Sequence, residues 1–526
     1  MEKRLLHILC FFITIIVLLA IRVAVLQLYP SENVQSSYQN HQHENITNMK
    51  YSILDTNEND LLKYKKKYVL VIDAKPFSLN NYEETLQDLM AMNFIMKGEN
   101  PDFNYSDVMK QSGKLYYTIS EDTYEKIKNL KNIKGIYEYE AQEADIKYAW
   151  SVGSLFSEIM DNEHEADSLE SDLYEYLKNN ETPKEEFYLD EKAVYSKEEF
   201  NTNEDNRNLQ LTVDEKLTDK VKEILDGDDY SSLKNIGVVL LESDTGKIRV
   251  LTQKDESQAN INLAMQQIGY EPGSIYKIIT LSSALEEGLI SVNEKYNCKG
   301  QICKVPHGVI TIESAFEKSC NDVFAQIGSK VGYNKLMEYS EKLGLYSRVL
   351  GLKDSDQNES SGLKPEEEAG LNNISIGQCM NVTPLQMAGA INAVVNNGIY
   401  VKPYIVEAIL DKDNNVVKSM ETDKGRVYSE TTAKIVKNSM RNVVLRGTGT
   451  KADIKGMNIG GKTGSATGSQ NKTHGWFAGY FTYKNKNYTM VIFTPELEGI
   501  GENNEEAGGG NTAAPIFKEI VNKITK

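Results

Sequence analysis

Cysteine is scarce, with five residues in 526, and that scarcity excludes a fold built on a disulfide framework. Cys10 sits in an apolar N-terminal run, Cys320 and Cys379 stand isolated among apolar neighbours, and only Cys298 and Cys303 are close. Their spacing suits a short disulfide in an external loop and equally two free thiols. Cys-x4-Cys with His307 nearby suggests part of a zinc set, but no fourth ligand follows at regular spacing. The expectation is therefore no metal and no cofactor. Basic excess is missing too: the formal net charge is −18, so a phosphate backbone would be repelled over most of the surface, which argues against a nucleic-acid partner. No run of Lys and Arg interleaved with aromatics offers a local exception, and Lys65, Lys66 and Lys67 read as the solvated flank of a strand. Internal repeats are absent.

Long hydrophobic runs are absent with one exception. Leu5 to Ile21 is apolar apart from His7 and Thr14, follows Lys3 and Arg4, and resumes as Val23 to Leu28 beyond Arg22. Seventeen helical residues reach roughly 26 Å of the about 30 Å of a hydrocarbon core, and Arg22 can snorkel while the next segment extends the helix. No small-x-small cleavage site follows. Residues 1–28 are expected to be an uncleaved transmembrane anchor, with a short cytoplasmic N-terminus and everything after Pro30 outside the cytoplasm.

At this length two folded units plus a tail are expected. Residues 29–50 are polar and read as a linker. Residues 51–157 alternate short apolar runs (Tyr68 to Ile72, Tyr116 to Ile119, Ile133 to Tyr137) with a helical stretch at Tyr82 to Met96, giving an α+β domain without catalytic character. Residues 158–206 are dominated by Glu, Asp, Asn and Lys around an apolar island at Leu173 to Leu177, and read as an acidic, partly helical connector. From 207 to the end a second α+β domain is expected. It opens on a hairpin, Ile236 to Leu241 and Ile248 to Leu251 about Asp244-Thr245-Gly246, and continues with helices at Ile275 to Glu287, Val323 to Val331, Lys335 to Leu343 and Pro384 to Asn396. Strands at Gly475 to Phe481 and Tyr488 to Phe493 and a last helix from Ala513 close it, so that one sheet is assembled from both ends of the domain.

Chemistry concentrates in that second domain. Ser274-Ile275-Tyr276-Lys277 follows Glu271-Pro272-Gly273, and Pro-Gly before an apolar stretch marks a helix start. Ser274 and Lys277 then share one helical face, a nucleophile beside an amine base, with the helix N-terminus favouring negative charge. Ser-x-x-Lys recurs at Ser231, Ser361 and Ser469, but none of these opens a long apolar helix. A lysine base must lose about three pKa units, roughly 4 kcal/mol, to work near neutrality, and burial or a second cation supplies that. Lys462 in Lys462-Thr463-Gly464-Ser465 is such a cation, on a small-residue run suited to an edge strand lining a cleft. Ser319-Cys320-Asn321 is the third element, readable also as a helix N-cap.

In this order Ser-x-x-Lys, Ser-x-Asn and Lys-Thr-Gly resemble the signature set of penicillin-binding proteins and serine β-lactamases. Leu211-Thr212-Val213-Asp214, Ser375-Ile376-Gly377-Gln378, Thr383-Pro384-Leu385-Gln386, Gly447-Thr448-Gly449 and Gly475-Trp476-Phe477-Ala478-Gly479 extend the resemblance to class B penicillin-binding proteins over about 209–526. That resemblance implies a penicillin-binding-protein/β-lactamase-like fold, an antiparallel sheet flanked by helices, behind a reduced pedestal domain. It implies a D,D-transpeptidase acting on peptidoglycan stem peptides, acylated by β-lactam antibiotics, with a separate membrane glycosyltransferase as partner. Ser274 would form the acyl-enzyme and Lys277 take its proton. Ser319 and Asn321 would relay protons and position the peptide. Lys462, Thr463, Gly464 and Ser465 would bind substrate, and the amides of Ser274 and Ser465 would form the oxyanion hole. Tyr51-Ser52-Ile53-Leu54-Asp55 departs from the family's Arg-Gly-x-Ile-x-Asp-Arg block, lacking both arginines and the glycine.

Three other outcomes remain open at this level. A β-lactamase would use Glu368 of Glu368-Ala369-Gly370-Leu371-Asn372 as deacylating base, although Glu366, Glu367 and Glu368 read as a charged loop. A D,D-carboxypeptidase shares the acyl-enzyme step. A non-catalytic sensor or scaffold would lack a use for an intact Ser, Lys and Asn set, and a multi-span sensor would need a His-Glu-x-x-His motif that is absent.

Overall fold

The computed structural model describes residues 13–23, 41–145, 151–160, 164–264, 270–353, 358–467, 472–498 and 507–526. Residues 13–23 are helical; among the described residues no helix is long and apolar enough to cross a membrane. The rest of the expected anchor, 1–12 and 24–28, lies outside the described residues, as do 29–40 of the expected linker. The chain divides into two units. One comprises Tyr64–Ala144 and Glu181–Asn203 with the chain up to Lys50; the other comprises Tyr51–Lys63, Asp145–Asn180 and Glu204–Lys526.

The first unit holds two three-stranded sheets. Tyr64–Asp73 lies between Lys114–Ile119 and Ile136–Ala144, antiparallel to both. Its sequence explains its two halves: Tyr68 to Ile72 is buried, while Lys66 and Lys67 sit within the strand and pair with Glu140 at 2.8 Å and Glu143 at 2.9 Å. The helix Leu86–Glu99 buries Leu89, Met92 and Met96, one face at helical spacing.

The second sheet corrects two expectations. Lys184–Leu189 pairs with His41–Asn45 on one side and Tyr195–Asn201 on the other, so 29–50 is not all linker and 158–206 is not a single connector. Phe187 anchors these strands, stacked 4.4 Å from Tyr137, while Lys197 neutralises the buried Glu185 at 2.6 Å. Charged composition hid a strand whose few inward positions suffice. The helix Leu169–Leu177, capped by Ser168 and buried through Leu173 and Leu177, belongs instead to the second unit.

In the second unit the main elements, in chain order, are β1 (Gly237–Glu242), β2 (Ile248–Gln253), α1 (Lys277–Glu286), β3 (Lys295–Cys298), β4 (Gly308–Thr311), α2 (Asn321–Val331), α3 (Pro384–Val395), α4 (Glu430–Arg446), β5 (Ile459–Thr467), β6 (Thr473–Tyr483), β7 (Lys486–Leu497) and α5 (Ala513–Thr525). Five of the strands form an antiparallel sheet of order β2-β1-β7-β6-β5, joining the two ends of the domain as the sequence suggested. Val238, Leu240, Phe477, Met490 and Ile492 line one face against Ile516, Phe517 and Ile520 of α5. Val239, Leu241 and Val491 alternate to the other face and are buried as well. All twelve residues of α3 are buried, which marks it as the central helix of the domain. Thr383-Pro384-Leu385-Gln386 starts it with a capping box: Thr383 Oγ1 accepts from Gln386 N at 3.1 Å and Gln386 Oε1 from Thr383 N at 2.9 Å. β5 is one edge strand of the sheet, β2 being the other, and the site assembles along β5.

Candidate active site

Ser274 lies in the 3₁₀ turn Gly273–Ile275 that runs into α1. Two glycines let this turn press against its neighbours. Gly273 has φ +54°, and a Cβ there would meet Ser465 O at 2.6 Å; Gly377 has φ +81°, and a Cβ there would meet Gly273 O at 2.1 Å. Gly273 N in turn donates to Gly377 O at 2.9 Å. The turn is thus held between β5 and the Ser375–Gln378 segment, with Ser274 half-buried and Ile275, Tyr276 and Lys277 fully buried.

Lys277 Nζ donates to Ser319 O at 2.7 Å, Asn321 Oδ1 at 2.6 Å and Ser319 Oγ at 3.1 Å. These acceptors engage all three ammonium protons, and none belongs to Ser274. Loss of one proton exposes a nitrogen lone pair. Lys462 Nζ donates to the same Ser319 Oγ at 2.9 Å and to Thr463 O at 3.0 Å, so one hydroxyl links two fully buried lysines. Phe324 and Phe316 present their rings 5.5 and 5.9 Å from the two ammonium groups, walls that exclude water while tolerating a cation. Burial lowers Lys277 to about 7. Lys462 is held well below its ordinary value by burial and then by the Lys277 charge. Ser319 adopts φ +56°, a left-handed conformation uncommon for a non-glycine residue and found where surrounding structure over-determines it.

On β5, Thr463 Oγ1 lies 2.6 Å from Thr448 Oγ1, and Ser465 Oγ accepts from Gly509 N at 3.3 Å. Gly464 leaves room for the Ser274 turn, since a Cβ there would meet Pro272 O at 2.9 Å. The structure therefore brings Lys277, Ser319, Asn321, Lys462 and Thr463 into one bonded network and sets Ser274, Gly464 and Ser465 beside it. Thr448, Phe316, Phe324 and Gly377 complete the site without having been singled out for it; Gly447-Thr448-Gly449 and Ser375-Ile376-Gly377-Gln378 carried the only signal. Glu366, Glu367 and Glu368 are exposed, as a charged loop should be. Cys298, Cys303, Cys320 and Cys379 are free thiols. Cys379 is exposed rather than set among apolar side chains, its N–H donating to Glu271 Oε1 at 2.7 Å, and Cys320 is not isolated, since its sulfur lies 3.6 Å from that of Cys303.

The family model described as "Penicillin binding protein transpeptidase domain" matches residues 236–522, more than half of the chain. The chain belongs to the penicillin-binding protein transpeptidase family. Penicillin-binding protein PbpB of Mycolicibacterium smegmatis is 30% identical over 358 residues, 60% of this chain and 54% of that protein. Stage V sporulation protein D of Bacillus subtilis is 26% identical over 569 residues, 99% of this chain and 85% of that one. The chain thus spans about half the length of the mycobacterial relative. A peptidoglycan synthetase from Bifidobacterium adolescentis shares the α+β fold with a TM-score of 0.62 at 17% identity, over 92% of this chain and 96% of that one.

Proposed function

We propose that this penicillin-binding protein is a serine D,D-transpeptidase that cross-links peptidoglycan stem peptides and is acylated by β-lactams. The two buried lysines joined through Ser319 Oγ carry this reading. Neutral Lys277 takes the Ser274 Oγ proton as the oxygen attacks the penultimate D-alanine carbonyl, the amides of Ser274 and Ser465 holding the oxyanion. The proton passes through Ser319 to the leaving D-alanine amine, the C–N bond breaks, and an ester to Ser274 remains. An acceptor amine then attacks that ester; Lys277 takes the amine proton and hands it to Ser274 Oγ as the C–O bond breaks, so that the new amide leaves and neutral Lys277 is restored. Asn321 holds the Lys277 nitrogen in place, and Thr463 with Thr448 offers hydroxyls to the substrate carboxylate beside Lys462. A single N-terminal anchor with the catalytic unit outside the cytoplasm fits the apolar run at 5–21. A separate glycosyltransferase as partner belongs to the same reading, as does the reduced pedestal.

Intact-mass measurement after penicillin treatment tests the assignment: the wild type gains one penicillin mass and Ser274→Ala gains none. Adduct on the variant would falsify the nucleophile. A stem-peptide thioester supplied with a D-amino acid separates the outcomes, since release of the acid alone defines a carboxypeptidase. Rapid turnover of a chromogenic cephalosporin would define a β-lactamase, for which the exposed Glu368 offers no buried base.

A further inference from the structure

Cys298, Cys303, His307 and Cys320 place one ligand atom each within 4.8 Å of one another. Cys303 Sγ and Cys320 Sγ are 3.6 Å apart, and Cys298 Sγ and His307 Nδ1 are 3.4 Å apart. Tetrahedral zinc, at about 2.3 Å from sulfur and about 2.0–2.1 Å from nitrogen, requires ligand atoms roughly 3.5–3.8 Å apart. The two edges fall short of the tetrahedral S–N and S–S lengths by only about 0.2 Å each. The expectation of no metal rested on a missing fourth ligand at regular spacing; the fold supplies Cys320 from the other side of the β3–β4 hairpin.

We propose that these four side chains form a structural zinc site that ties the hairpin to the Ser319–Asn321 turn. Three thiolates and one imidazole favour zinc over hard cations, and four protein ligands leave no open position for catalysis. Binding replaces the thiol protons of Cys298, Cys303 and Cys320, releasing three protons. A supporting shell is in place. Asp322 accepts from Gln301 N at 3.0 Å, Ile302 N at 2.6 Å and Cys303 N at 3.0 Å, fixing the loop that carries Cys303 and His307, while its bond from the Cys298 thiol at 3.5 Å is given up when zinc replaces that proton. Cys320 is the N-cap residue of α2 and makes no side-chain capping bond, so its sulfur is left to the cluster. It stands between Ser319, in its left-handed conformation, and Asn321. A metal bond at Cys320 therefore anchors the backbone that aims both side chains at Lys277.

The full chain, isolated under reducing conditions and dialysed against metal-free buffer, tests the site by elemental mass spectrometry. The expected content is one zinc per chain, lost in His307→Ala, retained in His307→Cys, which keeps four ligands, and unchanged in Cys379→Ser. Asp322→Asn should weaken zinc retention against a competing chelator by about 10–100-fold. Cobalt(II) reconstitution should give thiolate-to-metal charge transfer and tetrahedral ligand-field bands that Cys303→Ser abolishes. These readouts do not depend on acylation of Ser274. A wild-type chain that takes up neither metal, or one recovered metal-free with Cys303 and Cys320 joined as a disulfide, would overturn the proposal, as would zinc retained by His307→Ala.

Discussion

Both units of this penicillin-binding protein bury ionisable side chains, and they differ in how those groups are partnered. In the N-terminal unit Glu44 Oε1 accepts from Tyr137 at 2.6 Å and Tyr116 at 3.0 Å, with Lys114 Nζ 3.9 Å away. A carboxylate has hydroxyl donors and a cation there, and burial with the neighbouring carboxylate pushes both phenols up, Tyr116 to about 12. The network is self-satisfied, so its polarity fixes packing. In the catalytic unit Lys277 and Lys462 share one hydroxyl with no carboxylate among their bonded partners. Burial lowers Lys277, and burial followed by the Lys277 charge lowers Lys462. The comparison teaches that burial alone does not make a site: the sign and pairing of what is buried decide.

The sharpest way to break the comparison is Lys277→Met, which should slow β-lactam acylation about 10²–10⁴-fold in stopped-flow labelling while leaving the fold intact; an unchanged rate would remove Lys277 as base. Next in size is pH. Acylation should rise about tenfold per unit up to about pH 7, where Lys277 deprotonates, and level above it. The same group sets a stability window. Its folded pKa of about 7 lies below the unfolded value of about 10.4, so between them the unfolded chain holds a proton the folded chain lacks. Stability from this group therefore increases with pH from about 7 to about 10.4, by roughly 5 kcal/mol at most, and stays at its minimum below 7, which denaturant titrations across that range would reveal.

Gly377→Ala comes third. Its Cβ would press on Gly273 O at φ +81°, costing about 1–3 kcal/mol and displacing Ser274, so both the urea midpoint and the acylation rate should fall. Tyr137→Phe sharpens the other side: one hydroxyl donor to Glu44 is lost, for about 1–3 kcal/mol of stability, with acylation of Ser274 unaltered. A change in rate there would mean that the N-terminal network reaches the catalytic chemistry. The smallest effect is expected at Lys67→Ala, where an ion pair to Glu143, with the Lys67 side chain 39% exposed, should leave the midpoint within error.

Much of the catalytic unit was legible in the chain because its elements are local and strongly patterned. Pro-Gly before Ser274, the small residues of β5 and the apolar run of β6 announce themselves over a few residues. The N-terminal sheet was harder. Lys184–Leu189 and Tyr195–Asn201 are charged strands, and the third strand of their sheet, His41–Asn45, which pairs with Lys184–Leu189, is distant in sequence, so neither composition nor periodicity exposed them. Cys320 was obscured differently: its membership of the thiol cluster depends on a hairpin folding back over α2, which no spacing rule encodes.

The sequence by itself determined which side chains are candidates for the chemistry, since the order Ser274, Lys277, Ser319, Asn321, Lys462 and the polar or apolar character of each segment are properties of residues. Only the tertiary structure decided what those side chains are. That burial lowers Lys277 to about 7, that one hydroxyl joins two lysines, and that Cys320 meets Cys298, Cys303 and His307 of the hairpin all follow from desolvation and proximity, and both arise when separate segments exclude water together.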